Sequence, residues 1–108
     1  MNVKNEVLRG LIPIYDNAKS FYNKATIKEG TNRIELYSYN THVATIHKNA
    51  DHTLSNVVVY GIYSATTLRH IKEFLKQYGY KAENKNQIVN DYISLWRYFF
   101  NIIKRIRI

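Results

Sequence analysis

The sequence predicts an α+β domain, in which a small antiparallel β-sheet of three to four strands packs against a central helix. Short runs rich in β-branched and aromatic residues are separated by polar turns, which is typical of strands. Between residues 64 and 79, apolar residues recur at steps of three and four, which is typical of a helix with one buried face. The 108-residue chain is predicted to be a single domain, 1–108, with the sheet and central helix in 17–78.

The N-terminal segment is predicted to begin with a short helix. Asn2 is a suitable cap for a helix over residues 2–9, and Gly10 would end it. Strands are predicted over residues 20–27, 33–47 and 56–63. The last of these segments is apolar, so we expect it to be buried on both faces.

Apolar and polar residues alternate in the second strand segment, 33–47, which is typical of a half-buried strand. This segment is predicted to fold into a hairpin. Tyr39 and Asn40 can form a two-residue turn, although the favoured Asn-Gly pair is missing. In that register Leu36 faces Val43. A single long strand with a bulge near Asn40 is the alternative.

The central helix has clear end signals. Ser64 or Thr66 can cap its N-terminus, and Gly79 suits the left-handed position of a Schellman motif at its C-terminus. One face is predicted to lie against the sheet. That face carries Leu68, Ile71, Leu75 and Tyr78.

A C-terminal amphipathic helix is predicted over residues 86–106, with Asn86 as its cap. Its apolar arc is wider than one small sheet needs. Packing on the core and formation of a homodimer interface are the favoured interpretations, and binding to an anionic membrane surface is the third. Its apolar-rich part, of about twelve residues, is too short to span a bilayer. The predicted interface residues are Trp96, Arg97, Phe100, Lys104 and Arg105.

The chain is strongly basic, with 16 Lys and Arg against 8 Asp and Glu and a net charge of +8. Such an excess favours polyanionic partners, namely nucleic acid, a ribonucleoprotein or an anionic membrane surface, and the alternative is that the charge serves only solubility. Along the central helix, Arg69, Lys72 and Lys76 recur about one turn apart, which suits successive phosphates. Together with Lys81 and Lys85 they form the predicted binding surface for nucleic acid or a protein partner. A merely solvated helix face is an equally weighted alternative.

Exposed tyrosines are candidates for stacking on bases, namely Tyr37, Tyr39, Tyr60 and Tyr63.

No catalytic site, metal site or cofactor is predicted. The chain has no cysteine, and its histidines lack the spacing of metal ligands, so His42, His47, His52 and His70 are interpreted as scattered surface residues. His70 and Glu73 lie three residues apart on the helix, and a surface hydrogen bond is favoured over a base and its orienting acid. Around Ser64, Thr66 and Thr67, capping is favoured over phosphate binding, because the glycines and lysine of a P-loop are missing.

Three segments are similar to a family of small proteins of unknown function found in phages, prophages and plasmids of low-GC Gram-positive bacteria. They read SFYNKA at Ser20–Ala25, LYSYNTHVATI at Leu36–Ile46 and YSATTLRHIKEFLKQ at Tyr63–Gln77. The resemblance covers residues 17–78. It implies an accessory protein of a mobile element, and it assigns no catalytic residue.

The basic helix face and this resemblance together favour a non-enzymatic binding protein. The leading hypothesis is an inhibitor of a host nucleoprotein machine, such as a CRISPR-Cas effector. A basic chain cannot act by imitating DNA, so it would bind guide RNA, bound DNA or an acidic protein patch. The alternative is a basic accessory protein that binds DNA or RNA directly. Without a signal peptide or an apolar stretch long enough to span a membrane, the expected location is the bacterial cytoplasm.

Overall fold

The computed structural model describes residues 6–93, which form one antiparallel sheet and two helices. Five strands lie in the sheet in sequence order, each paired with its neighbours along the chain. The predicted α+β class is therefore confirmed. The elements are β1 (Val7–Gly10), β2 (Ala25–Glu29), β3 (Arg33–Ser38), β4 (Thr41–Lys48), β5 (Leu54–Val59), α1 (Ala65–Gln77) and α2 (Lys85–Tyr92).

The sheet has one strand more than predicted, because the expected N-terminal helix is wrong over its described part. Val7–Gly10 is strand β1, which pairs antiparallel with β2. The Leu11 N–H extends this ladder by donating to the Ala25 carbonyl at 2.9 Å. A helix this short has little stability of its own, whereas the edge of β2 offers partners to the backbone groups of β1 that face it.

Strand β2 begins five residues later than predicted. Tyr22 and Asn23 have positive φ values of 53° and 63°, which extended backbone does not allow. The segment before β2 is therefore a turn, in which the Lys24 N–H donates to the Phe21 carbonyl at 2.9 Å. The β-forming side chains of this segment still contribute to the fold, because Phe21 is buried in the core.

The predicted hairpin is confirmed, and its turn residues Tyr39 and Asn40 have φ values of 52° and 70°, as a type I′ turn requires. The predicted pairing of Leu36 with Val43 is wrong. A bulge shifts the register by one residue, so that Leu36 faces Ala44 instead. Both Val43 and Ala44 are buried, so the extra residue adds apolar surface to the core.

Helix α1 packs on one face of the sheet with the predicted apolar residues. Ile71 and Leu75 are fully buried, and Leu68 and Tyr78 are partly buried against the same core. Since side chains alternate along a strand, Ile34 and Leu36 of β3 lie on the face of the sheet that α1 covers. The other face of the sheet points away from α1 and is called the outer face below.

The last strand and the second helix differ from their predicted forms. Strand β5 is at the edge of the sheet, and Val59 is its one fully buried residue, so the expected burial on both faces is wrong. Asn84, not Asn86, caps α2 by accepting from the Gln87 N–H at 2.9 Å. Helix α2 ends at Tyr92, so the predicted helix does not continue through Ile93. Residues 94–106 of that prediction lie outside the described residues, as do its interface residues Trp96, Arg97, Phe100, Lys104 and Arg105.

The predicted Schellman motif ends α1. The Tyr80 N–H donates to the Leu75 carbonyl at 2.9 Å, and the Gly79 N–H donates to the Lys76 carbonyl at 3.1 Å. Gly79 has a φ of +86°, the left-handed region that favours glycine.

Replacing Gly79 by Ala is expected to destabilise the protein by about 1 kcal/mol, because a Cβ is strained at this φ. The space around it is open, so no steric clash adds to this cost. Urea unfolding would measure the difference. Gly10→Ala is the matched control, since its Cβ would also meet open space but at an unstrained φ. Equal effects of the two substitutions would contradict this interpretation of the motif.

Candidate functional site

The structure brings the three predicted basic residues of α1 to one shallow cavity. Arg69, Lys72 and Lys76 line this space of about 350 Å³ together with Glu73 and residues 15–17. Lys81 and Lys85 do not line it. Both are exposed, and Lys85 is the first residue of α2.

Arg69 is bound to an acid within the protein. Its Nε donates to Asp16 Oδ2 at 3.0 Å, and its Nη2 donates to Asp16 Oδ1. The hydrogen bond from Arg69 lowers the pKa of Asp16 to about 2, so this carboxylate is charged at neutral pH. Arg69 is therefore held by the fold, and the predicted basic row is reduced to its two lysines.

Two further residues of α1 hold the same N-terminal segment. Gln77 Nε2 donates to the Ile12 carbonyl at 2.8 Å. Glu73 accepts from the N–H groups of Ile14, Tyr15 and Asp16 at 2.8, 3.0 and 2.8 Å. Arg69, Glu73 and Gln77 are four residues apart, so they form one stripe of the helix surface. This stripe is called the polar stripe below.

The burial of Glu73 corrects the prediction of a surface residue paired with His70. Glu73 is 2% exposed. Burial would raise the pKa of its carboxyl group, but the hydrogen bonds from Gln77 and from the backbone lower it to below its usual value. Glu73 is thus a buried, charged carboxylate whose hydrogen bonds hold the chain in place.

His70 is also buried, at 1% exposure, so the prediction of four surface histidines is wrong for this residue. Its Nδ1 lies 2.8 Å from the hydroxyl of Ser38, which in turn lies 3.0 Å from the hydroxyl of Thr67. The ring of Phe21 packs edge-on against the imidazole, with 4.6 Å between ring centroids. These contacts join the end of β3 to the first turns of α1.

The Ser38–His70 pair has the atoms of a nucleophile and a base. Both side chains are buried, and the carboxylate of Glu73, three residues from His70, binds backbone N–H groups instead. A substrate would have to displace core residues to reach the Ser38 hydroxyl. The geometry therefore favours a structural role for the pair.

The helix start is a cap, as predicted. Ser64 Oγ accepts from the Thr67 N–H at 3.1 Å. Within residues 6–93, no three His, Asp or Glu side chains come together in a way that could hold a metal ion. Neither described helix is long and apolar enough to cross a membrane.

All three arginines of the described part of the chain form ion pairs, with Arg9 bound to Glu29 and Arg33 to Glu35 in addition to Arg69. Lys28 and Lys48 are also paired. The other lysines of residues 6–93 form no ion pair there, and Lys72 and Lys76 share one cavity. These unpaired lysines are Lys19, Lys24, Lys72, Lys76, Lys81 and Lys85. Residues 6–93 have a net charge of +3, so most of the positive excess lies in the two termini.

The outer face of the sheet carries a second group of candidate residues, which sequence reasoning did not identify as a cluster. The rings of Tyr37 and His42 are stacked with 5.0 Å between their centroids, and the centroids of the His42 and Tyr60 rings lie 4.9 Å apart. The two-residue turn already places Tyr37 opposite His42, so that pair was available in the sequence. Tyr60 joins it only through the packing of β5 on β4. The predicted stacking residues Tyr39 and Tyr63 are exposed and lie outside this cluster.

A family model for a family of unknown function, DUF8033, matches residues 10–90. The chain belongs to this family. The predicted resemblance to a family of unknown function is thereby confirmed and extended beyond residues 17–78, and the phage and plasmid setting stays a prediction. No curated protein and no solved structure matches the chain.

Replacing Glu73 by Gln is expected to lower the free energy of unfolding by about 1–3 kcal/mol, because buried N–H groups lose an acceptor. Urea unfolding monitored by far-UV circular dichroism would measure the change. Glu83→Gln is the control, since Glu83 is exposed and is expected to change little. A neutral result for Glu73→Gln would show that the three N–H groups do not depend on the charged carboxylate.

Lowering the pH below 6.5 is expected to destabilise the protein through His70. Burial lowers the pKa of the His70 imidazole from its usual value of 6.5. Below pH 6.5 the unfolded chain therefore binds more protons than the folded protein, and the free energy of unfolding decreases as the pH is lowered. His70→Asn, which keeps a polar atom near Ser38, should flatten the curve between pH 7 and 5. His52→Asn, at an exposed position, should leave it unchanged, and equal curves for wild type and His70→Asn would contradict the assignment.

Proposed function

We propose that this protein is a non-enzymatic binding protein whose partner contains nucleic acid. Lys72 and Lys76 support the proposal because they lie on one side of α1, at one cavity, without ion pairs in the described part of the chain. The other polar residues of α1 that face the fold are held by it, as the polar stripe and His70 show. The two lysines are therefore the charges of α1 that a phosphate backbone can use at little cost to the fold.

The concrete form that we propose to test first is inhibition of a host nucleoprotein complex, such as a CRISPR-Cas effector. Its support is the resemblance to proteins of mobile elements and the basic composition of the chain. In this form, Lys72 and Lys76 would occupy phosphates of guide RNA or bound DNA that the effector needs. Direct binding to free DNA or RNA is the second candidate, which the aromatic cluster of the outer face favours.

Two binding measurements separate these candidates. Tight, salt-sensitive binding to naked DNA or RNA would support the direct binder. Negligible binding to naked nucleic acid, together with loss of target cleavage by a purified CRISPR-Cas effector in the presence of the protein, would support the inhibitor. Absence of both effects, across several effector types, would contradict the proposal.

The double substitution Lys72→Ala/Lys76→Ala is expected to weaken binding to the nucleic-acid partner by about tenfold or more at low salt, because two phosphate contacts are lost. The slope of log K against log salt concentration should fall by about two. Fluorescence anisotropy over a salt series would measure both quantities. Arg69 is left in place, because removing it would leave Asp16 without its partner.

Lys19→Ala/Lys24→Ala is the control with the same change in net charge. Both lysines are exposed and form no ion pair in the described residues. This control should reduce binding only through the general field of the protein. Equal losses from the two double variants would show that net charge, and not the side of α1, determines affinity.

A further inference from the structure

The outer face of the sheet carries polar and aromatic residues that take no part in the proposed binding by α1. We propose that this face binds unpaired bases of a single-stranded nucleic acid, with the Tyr37–His42–Tyr60 cluster as the stacking surface and Arg33 as a phosphate contact. The inference rests on the proposed nucleic-acid partner and specifies single-stranded segments as the part that this face recognises.

Hydrogen bonds hold the three rings of the cluster in place. The Tyr37 hydroxyl donates to Glu35 Oε1 at 3.1 Å. His42 Nε2 lies 2.7 Å from Thr45 Oγ1, and the Tyr60 hydroxyl donates to the same oxygen at 3.2 Å. A ring that is already fixed loses little conformational freedom when a ligand stacks on it. The cluster is thus preorganised for a flat ligand.

The rings also leave surface for such a ligand. His42 lies between the two tyrosines, in contact with both. Tyr60 is at the end of this row and is 48% exposed. A base therefore has access to the Tyr60 side of the cluster, and stacking on an aromatic ring accepts any base, because every base has a π-face.

A cationic end completes the surface. Arg33 Nε binds Glu35 Oε2 at 3.0 Å, with the Arg33 side chain 59% exposed and the Glu35 side chain only 10% exposed. The pair therefore presents the guanidinium and hides the carboxylate. Arg33 pairs with His47 of β4, and both line a cavity of about 540 Å³ at the β2–β3 turn. Glu6, Lys28 and Glu35 line the same cavity, so its charges balance, and the phosphate contact is assigned to the exposed guanidinium of Arg33 alone.

Arg33 and Tyr37 lie on the same side of β3, four residues and roughly 13 Å apart. An extended polynucleotide strand, with phosphates and bases along its length, can contact both ends of such a surface. A duplex cannot, because its bases are stacked on one another and offer only their edges.

The test compares an oligothymidylate with an abasic oligonucleotide of the same length, using the full chain and fluorescence anisotropy. Tyr60→Ala should weaken binding to the oligothymidylate by about tenfold and leave binding to the abasic strand unchanged. Tyr60→Phe keeps the ring but loses its hydrogen bond to Thr45, so it should lose much less affinity than Tyr60→Ala, which separates stacking from damage to the fold. Tyr63→Ala, at a tyrosine 67% exposed outside the cluster, should change neither affinity.

Equal wild-type affinity for the two strands would overturn the inference, as would equal losses from Tyr60→Ala and Tyr63→Ala. If both strands bind equally and Lys72→Ala/Lys76→Ala weakens both, the role of α1 stands and that of the outer face fails. If binding depends on the bases and not on these lysines, the reverse holds. No binding to either strand would overturn this inference, while capture of a nucleoprotein complex could still support the role of α1.

Discussion

The carboxylate of Glu73 is the contact on which much of the structure depends. Three consecutive backbone N–H groups converge on it, and the segment that carries them has no regular secondary structure of its own. A buried carboxylate without these donors would be very unfavourable, and the N–H groups would equally lack acceptors. Glu73 and the segment 14–16 therefore stabilise each other, and neither is well placed without the other.

The polar stripe links α1 to the N-terminal segment, which is distant from it in sequence. Arg69, Glu73 and Gln77 bind the N-terminal segment in turn, with Gln77 nearest β1 and Arg69 at Asp16. Near the helix start, His70 binds Ser38 at the end of β3. Satisfied buried polar contacts of this kind specify one arrangement of helix and sheet, whereas apolar packing alone tolerates many. The surface left over on α1 is narrow, and Lys72 and Lys76 lie on it.

Local signals explain which predictions succeeded. Ser64, Gly79 and the apolar face of α1 act within one helix, and the Tyr39–Asn40 turn acts within one hairpin, so each could be predicted from neighbouring residues. Three errors are local, namely the Asn86 cap, the start of β2 and the Leu36–Val43 register. The other errors concern distant partners. β1 becomes a strand because β2 lies beside it, and Glu73 is buried because the segment 14–16 folds over it. The basic row looked uniform because helical spacing does not reveal that Asp16, more than fifty residues earlier in the chain, binds Arg69.

The order of the strands has a consequence for how the chain folds. Each strand of the sheet pairs with the one before it in sequence. The connections from β2 to β5 are two to five residues long, so their closure costs little entropy. The β3–β4 hairpin, with its two-residue turn, is the shortest such closure. The polar stripe instead joins residues more than fifty positions apart. Folding of this protein can thus begin as a series of local steps and be completed by long-range contacts, when α1 meets the end of β3 and the N-terminal segment.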